Sequence, residues 1–469
     1  VKFLRTLAVV LAAVLAIGLA IGLAQPVSAG PPGTWSRVSA TTAISYGDHA
    51  TYRTADGVVH LVYRKPGSSS GSAYGHTAIS PSGRVIRQNT LLNNWHTLTV
   101  APQLVPAPGG GIRLIFQGRR VTDDAEPYGD LATYTAIAPA SGASWVLQTD
   151  QIGGGDVPTG DLAATTLSSG TPVVAWSNFT IGGPDDGGWI KWRSGFGPGG
   201  INHIHREVQA QNAELVRDGS KVWLSWYEDG GTATTRGYFV KQLLPSAGPV
   251  KRAPGSNEHI SASPLAARAN GGAYLAYCYG QRDPVTGCKR IALWRIGTAT
   301  PRTLAAYNVG DLALSRGPSG RLWLSWHSSD NLVAVRTNKA ATAFGPARTI
   351  KTNGVPCCWT GHAANGSRSL LDGFVSTFSG VYHQQVKPGL RLSATPGRWN
   401  GDRSRVVTFR VNDAGDAVSG ALIKVGDRRC TTNSTGRCTI RFPQMNPRRM
   451  TAKATKSGYH PATRPLRVT

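Results

Sequence analysis

Gly310-Asp311-Leu312-Ala313, a Pro-Ser-Gly turn, then Arg321-Leu322-Trp323-Leu324-Ser325-Trp326: versions of this stretch return along the chain, and they decide the fold. Gly160-Asp161-Leu162-Ala163 leads through a Ser-Ser-Gly turn to Val173-Val174-Ala175-Trp176. Gly47-Asp48-His49-Ala50 leads through Ala-Asp-Gly to Val58-Val59-His60-Leu61-Val62-Tyr63. A strand–turn–strand unit with a period of about fifty residues marks a stacked or radial repeat, and the radial form is a β-propeller.

The same pattern, followed outward, predicts seven blades. Their second strands centre on Val59–Arg64, Arg113–Gln117, Val173–Ser177, Val222–Tyr227, Ala273–Tyr277, Leu322–His327 and Gly373–Phe378. Each is apolar or aromatic with alternation, as a strand packed between sheets must be. Six blades is the competing count, because the unit at His96–Gln117 fits the pattern poorly. Trp35 to Ser39 reads as an outer strand with no blade of its own. Placing it on the outside of the seventh blade would close the ring and remove two exposed edges.

Composition agrees with an all-β protein. The 469 residues include 57 Gly and only 2 Met, and short apolar runs bounded by Gly, Pro, Ser and Asn fill the sequence after the first thirty residues. Residues 1–29 read as a signal peptide: Lys2 and Arg5, an apolar run from Leu7 to Ala24, and Val27-Ser28-Ala29 before Gly30. An uncleaved membrane anchor is the rival reading of the same run. With cleavage, no stable membrane insertion is expected, and in either case the bulk of the chain lies outside the cytoplasm. Val1 reads as an alternative start codon.

Six cysteines suit that oxidising compartment. Cys278 with Cys288, and Cys430 with Cys438, each flank a turn and are expected to staple a hairpin. Cys357 and Cys358 are adjacent, which leaves a vicinal bridge or two free thiols. No pair of C-x-x-C units exists to hold zinc. No metal or cofactor is expected.

The formal charge is +25. From residue 388 to the end, thirteen Arg and three Lys face four Asp and no Glu, so this short segment carries about half of the excess. Such a surface attracts polyanions through a field that salt screens. An Arg-rich solvated surface with no partner is the plainer alternative. Nucleic acid is disfavoured, because the chain is exported and its aromatics are not interleaved with its basic stretches.

The repeat resembles the sialidase-like, or BNR-repeat, propellers. In these a phrase similar to Asp-x-x-Gly-Arg-x-x-x-x-Trp opens a blade and an Asp box closes a later turn. The best trace of that box is Thr337-Asn338-Lys339-Ala340-Ala341-Thr342-Ala343-Phe344, with Lys339 at the Asp position and Ala341 at the Gly position. The resemblance covers most of residues 34–387. After Pro388 the order of elements changes: Val407-Thr408-Phe409-Arg410-Val411, Asp413-Ala414-Gly415-Asp416, Ser434-Thr435-Gly436-Arg437-Cys438 and Ser457-Gly458-Tyr459. This resembles the small Ig-like sandwiches related to carboxypeptidase regulatory domains, which implies an accessory module without catalytic residues. The expected organisation is therefore a signal peptide (1–29), a β-propeller (30–387) and a basic Ig-like β-sandwich (388–469).

In several units an ionisable residue falls just before the innermost strand: Asp48 or His49, His96, Asp161, Glu214, His259, Asp311 and His362. Innermost strands surround the channel, so these positions are expected to converge at its mouth, where carboxylates and imidazoles bind a sugar or a cation or supply an acid/base pair. An Asp in Gly-Asp-x-Ala also serves as a purely local turn bond. Trp189, Trp192 and Trp359 are the aromatic candidates for sugar contact. Trp223, Trp226, Trp323 and Trp326 read as core. His203-x-His205 has metal spacing but no evident third ligand.

These residues predict a secreted, non-catalytic binding protein. Its propeller face would recognise a glycan, and its basic domain would associate with anionic envelope or matrix polymers. The alternative is a sialidase-like glycoside hydrolase acting at the channel mouth. No subset of Arg, Tyr and Glu matches that family's catalytic motifs, and no Gly-x-Ser-x-Gly, phosphate loop or dinucleotide fingerprint appears in a suitable context.

Overall fold

The structure, a computed structural model, describes residues 32–39 and 49–469 apart from 68–70, 99–101, 121–131, 150–160, 181–186, 197–199, 207, 231–235, 259–263, 281–286, 356–358 and 367–368. The expected signal peptide, Asp48, His259, Cys357 and Cys358 lie outside the described residues. No helix among the described residues is long and apolar enough to cross a membrane.

Short antiparallel strands succeed one another in meanders. Leu162–Thr166, Pro172–Thr180, Gly187–Ser194 and Asn202–Arg206 make one four-stranded sheet, and Gln209–Asp218, Lys221–Asp229, Gly237–Leu244 and Lys251–Arg252 make the next. Elsewhere a long strand joins two meanders. Arg302–Arg316 pairs with Cys288–Arg295 through its first half and with Leu322–Ser328 through its second, with a register shift between Val309 and Leu312. Val85–Leu98 does the same between Ser72–Ile79 and Ile112–Arg120. Every second strand expected from the sequence falls on an observed strand, except that Phe378 lies just past the end of Leu371–Thr377.

The innermost strands form a closed circle. His49–Arg53 touches Gln103–Pro106, and contact then passes through Leu162–Thr166, Gln209–Asp218, Leu265–Ala267, the second half of Arg302–Arg316 and Trp359–Gly366, which returns to His49–Arg53. Sheets arranged radially about a common axis in this way are a β-propeller. The circle is sealed by the N-terminal segment. Ser36 and Arg37 pair with His383 and Tyr382 on the outer edge of the last sheet. Val38 is fully buried, and its carbonyl accepts from Thr77 Oγ1 and Gln88 Nε2 of the first sheet. The inner end of the seam is held by charge. Arg53 pairs with the buried Asp372, which also accepts from Gln385 Nε2 (3.1 Å) and bonds His383 Nε2 (2.8 Å).

Packing between sheets explains the apolar second strands. All six residues of Ala273–Cys278 are buried, and Trp176, Trp226 and Trp323 are fully enclosed. Removing each indole from water contributes about 5 kcal/mol before entropy is counted. The disulfide Cys278–Cys288 ties a second strand to a third.

The last propeller strand ends at Val386. From Arg391 two sheets face each other across one core that includes Val407, Phe409, Val411, Ile423, Phe442, Ala452 and Leu466. Period-two alternation sends Arg410, Arg437, Arg441 and Arg449 outward, and Arg405 and Arg448 are exposed at the first residues of their strands, so much of the excess charge is solvated. Cys430–Cys438 bridges strands of the two sheets.

This unit docks through the loop that carries the degenerate Asp box. Asn338 Oδ1 accepts from the Thr342 and Ala343 amides, and Ala341 sits at φ 55°, the conformation a glycine would favour. Lys339 N–H then donates to Asp416 (2.9 Å) across the junction. Beneath it Arg336 and Arg321 engage Asp413, which is 1% exposed, and Arg321 also reaches Asp416 (2.5 Å).

Candidate functional site

β-Bulges shape the entry end of the innermost strands. The register slips between Gln211 and Glu214, between Val309 and Leu312, between Trp359 and Gly361, and between Trp95 and Thr97. A bulge re-aims the side chains beside it. In Gln209–Asp218 the slip takes Asn212 to φ 56° and leaves Glu214 opposite Ser225. Asp161 fixes that geometry from the neighbouring sheet: Asn212 N–H donates to Asp161 Oδ2, while Asp161 N–H donates to Ser177 Oγ (3.2 Å).

Asp161, Glu214 and Asp311 thus come from three different sheets and act on one another. The Glu214 carboxyl is pushed up to about 8, first by loss of water and then by the negative charges of Asp161 and Asp311. All three causes push the same way, so Glu214 holds its proton near neutral pH while lying close to two acids of lower intrinsic pKa. Glu214 as a residue is half-buried, with its carboxyl on the desolvated side.

Histidines border this cluster in a different role. His362 Nδ1 lies 3.8 Å from Asp311 Oδ2, and its Nε2 shares a hydrogen bond with Ser325 Oγ (2.9 Å) of the preceding sheet. His49 Nδ1 shares one with Ser376 Oγ (2.8 Å), again across a sheet boundary. Both rings are buried and lock neighbouring sheets together. His327, which sequence reasoning passed over, faces the cluster: burial and His362 hold its imidazolium down, and Asp311 partly offsets them. The signal for these contacts was the serine repeated in the second strands at Ser177, Ser225, Ser325 and Ser376, just where each strand passes the channel mouth.

His96 lies in Val85–Leu98 at the join between the first two units. Trp189 and Trp192 occupy a third strand, two strands out from the channel, about 10 Å from the innermost one. Trp192 packs on the core, and Trp189 rests against His205 and His203 of the outermost strand, at 4.4 and 5.7 Å between centroids. Trp359 lies in the innermost strand Trp359–Gly366. Among the described residues no group of three His, Cys, Asp or Glu has a metal-binding arrangement.

Sequence reasoning also missed a buried histidine pair. His60 Nδ1 and His76 Nε2 share a hydrogen bond (2.9 Å) with the rings stacked at 5.2 Å, and His76 Nδ1 bonds Asn89 Oδ1 (2.7 Å). Burial above all holds both rings down to about 4, so the pair is neutral.

No protein-family model matches the chain, and no curated protein does. Among solved structures it is similar to a Hadza microbial sialidase (10% identity, TM-score 0.43, covering 76% of this chain and 68% of that one). It is similar to the Penicillium chrysogenum α-L-arabinanase complexed with arabinobiose (13%, 0.42, 61% and 92%). It is also similar to the propeller domain of the trilobed protease from Pyrococcus furiosus (8%, 0.41, 74% and 96%). The ring described above rests on the chain's own strand pairing, not on these likenesses.

Proposed function

We propose that this protein is a secreted, seven-bladed propeller (30–387) that recognises a neutral glycan at its acidic channel mouth, followed by an Ig-like accessory sandwich (388–469). The observation that carries this reading is the convergence of Asp161, Glu214 and Asp311, with Glu214 raised to about 8. Carboxylates accept hydrogen bonds from sugar hydroxyls, and a protonated Glu214 donates one. The charges acting on Glu214 are both negative, so an anionic sugar such as a sialic acid is disfavoured at this mouth. The exposed arginines of the sandwich supply a separate, salt-sensitive attraction to anionic envelope polymers.

Hydrolysis is the second reading, favoured by the same raised carboxyl: an acid protonated at pH 7 beside an ionised partner is the pairing that glycosidic cleavage uses. A panel of neutral and acidic oligosaccharides separates the readings, using the intact mature chain with Asp161→Asn and Asp311→Asn beside it. Binding of a neutral oligosaccharide that both variants weaken at least ~10-fold is expected. Reducing ends that accumulate with wild type and not with Glu214→Gln would assign catalysis. Indifference of every response to the three substitutions would remove the mouth as the site.

A further inference from the structure

A second cleft, remote from the acidic mouth, opens where the N-terminal segment, the last two propeller sheets and the sandwich meet. Its volume is about 480 Å³. Arg348, Lys351 and Lys387 line it, and no Asp or Glu is among its lining residues. None of these three cations has an ion-pair partner among the described residues. The charges of Arg348 and Lys387 both reach His460, also on the wall, whose pKa burial, Arg348 and Lys387 lower, and burial lowers that of Arg348 itself.

Polar and aromatic groups complete the wall. Gln384 is 3% exposed and lines the cleft. Trp35 is fixed by its Nε1–H donating to the Lys351 carbonyl (2.9 Å). Tyr459 is fixed by Arg336, which donates to its hydroxyl (3.3 Å) and stacks on its ring (5.5 Å). Fixed aromatic groups and cations without ion-pair partners among the described residues suit a ligand with a ring, hydroxyls and a negative charge.

We propose that this cleft binds an acidic saccharide, a uronate-bearing disaccharide or longer. An inorganic anion would use the cations alone and leave most of the volume and both rings unused. The inference does not rest on the function assigned to the channel mouth.

Calorimetric titration of the intact mature chain tests it, with digalacturonate, its neutral methyl ester and inorganic phosphate as probes. Digalacturonate is expected to bind, with affinity that falls as salt rises, and the ester at least ~10-fold more weakly. An Arg348→Gln/Lys387→Gln variant that melts like wild type is expected to lose at least ~10-fold, and Gln384→Leu, which leaves the cations in place, a few-fold. Asp161→Asn, which alters the channel mouth, is expected to leave the affinity of this cleft for digalacturonate as in wild type. The proposal is overturned by no binding of digalacturonate at millimolar concentration, by equal affinity for the ester, by phosphate binding as tightly, or by undiminished affinity in the folded double variant. The ester and phosphate comparisons use wild type alone, so they decide the matter even if the variants misfold.

Discussion

Glu214→Gln should stabilise this protein, and by more as the pH rises. The folded-state carboxyl lies at about 8 against an ordinary value of 4.5. Between those values the unfolded chain has lost the proton and the folded chain keeps it, so wild-type stability falls as pH rises through this window. The penalty is absent below about pH 4.5 and complete above about pH 8, where the displacement corresponds to about 5 kcal/mol. Glutamine keeps the shape and hydrogen-bonding reach of the protonated acid and carries no charge. The variant should therefore match wild type near pH 4.5, gain about 3 kcal/mol at pH 7 and about 4–5 kcal/mol at pH 8.5. Chemical unfolding of both proteins at these three pH values measures the difference. Titrations of groups that do not interact with Glu214 cancel in the subtraction. A difference that stays flat from pH 4.5 to 8.5 would show that Glu214 does not share a desolvated pocket with Asp161 and Asp311, and the proposed mouth would lose its basis.

The His60–His76 pair should act in the opposite direction. Both rings fall to about 4 in the folded state, so the unfolded chain binds more protons below pH 6.5. Stability is whole above pH 6.5 and drains as pH falls toward 4, by up to about 3 kcal/mol per ring. His60→Gln should flatten the wild-type slope between pH 6.5 and 4.5 in unfolding titrations, and an unchanged slope would contradict the buried neutral pair. Asp413→Ala leaves Arg336 and Arg321 buried without their shared carboxylate. A loss of about 3–5 kcal/mol is expected, with calorimetry showing the sandwich melting separately from the propeller. A single transition at the wild-type temperature would mean that the junction is not held by charge.

Legibility from sequence varied with the kind of evidence. The strands that build the sheets were written in local periodicity, because each must be apolar on the faces that meet its neighbours. The Trp-bearing phrases Val222–Tyr227 and Leu322–His327 located second strands to within a residue or two. The pairings Cys278–Cys288 and Cys430–Cys438 were legible from short sequence separation, but Cys430–Cys438 joins two sheets and does not staple a hairpin as expected. The carboxylates were legible as a repeated position ahead of each innermost strand, but not as a site. Their meeting depends on bulges at Asn212 and Gly310 that no periodicity records. The position of Trp189 within its sheet was not legible, for the complementary reason. Trp189 follows a Gly-rich stretch, a local cue, while its distance from the channel is set by strand order within the sheet.

By itself, then, the sequence determined an all-β repeat with a basic C-terminal segment, because alternation, turns and charge are properties of neighbouring residues. Only the tertiary structure decided that Asp161, Glu214 and Asp311 share a field, that His49 and His362 fasten one sheet to the next, and that Trp35 meets Tyr459 across a cationic cleft. Those relations join residues fifty to several hundred positions apart. They come into being when the ring closes through Ser36 and Arg37 and the sandwich docks on Arg321 and Arg336.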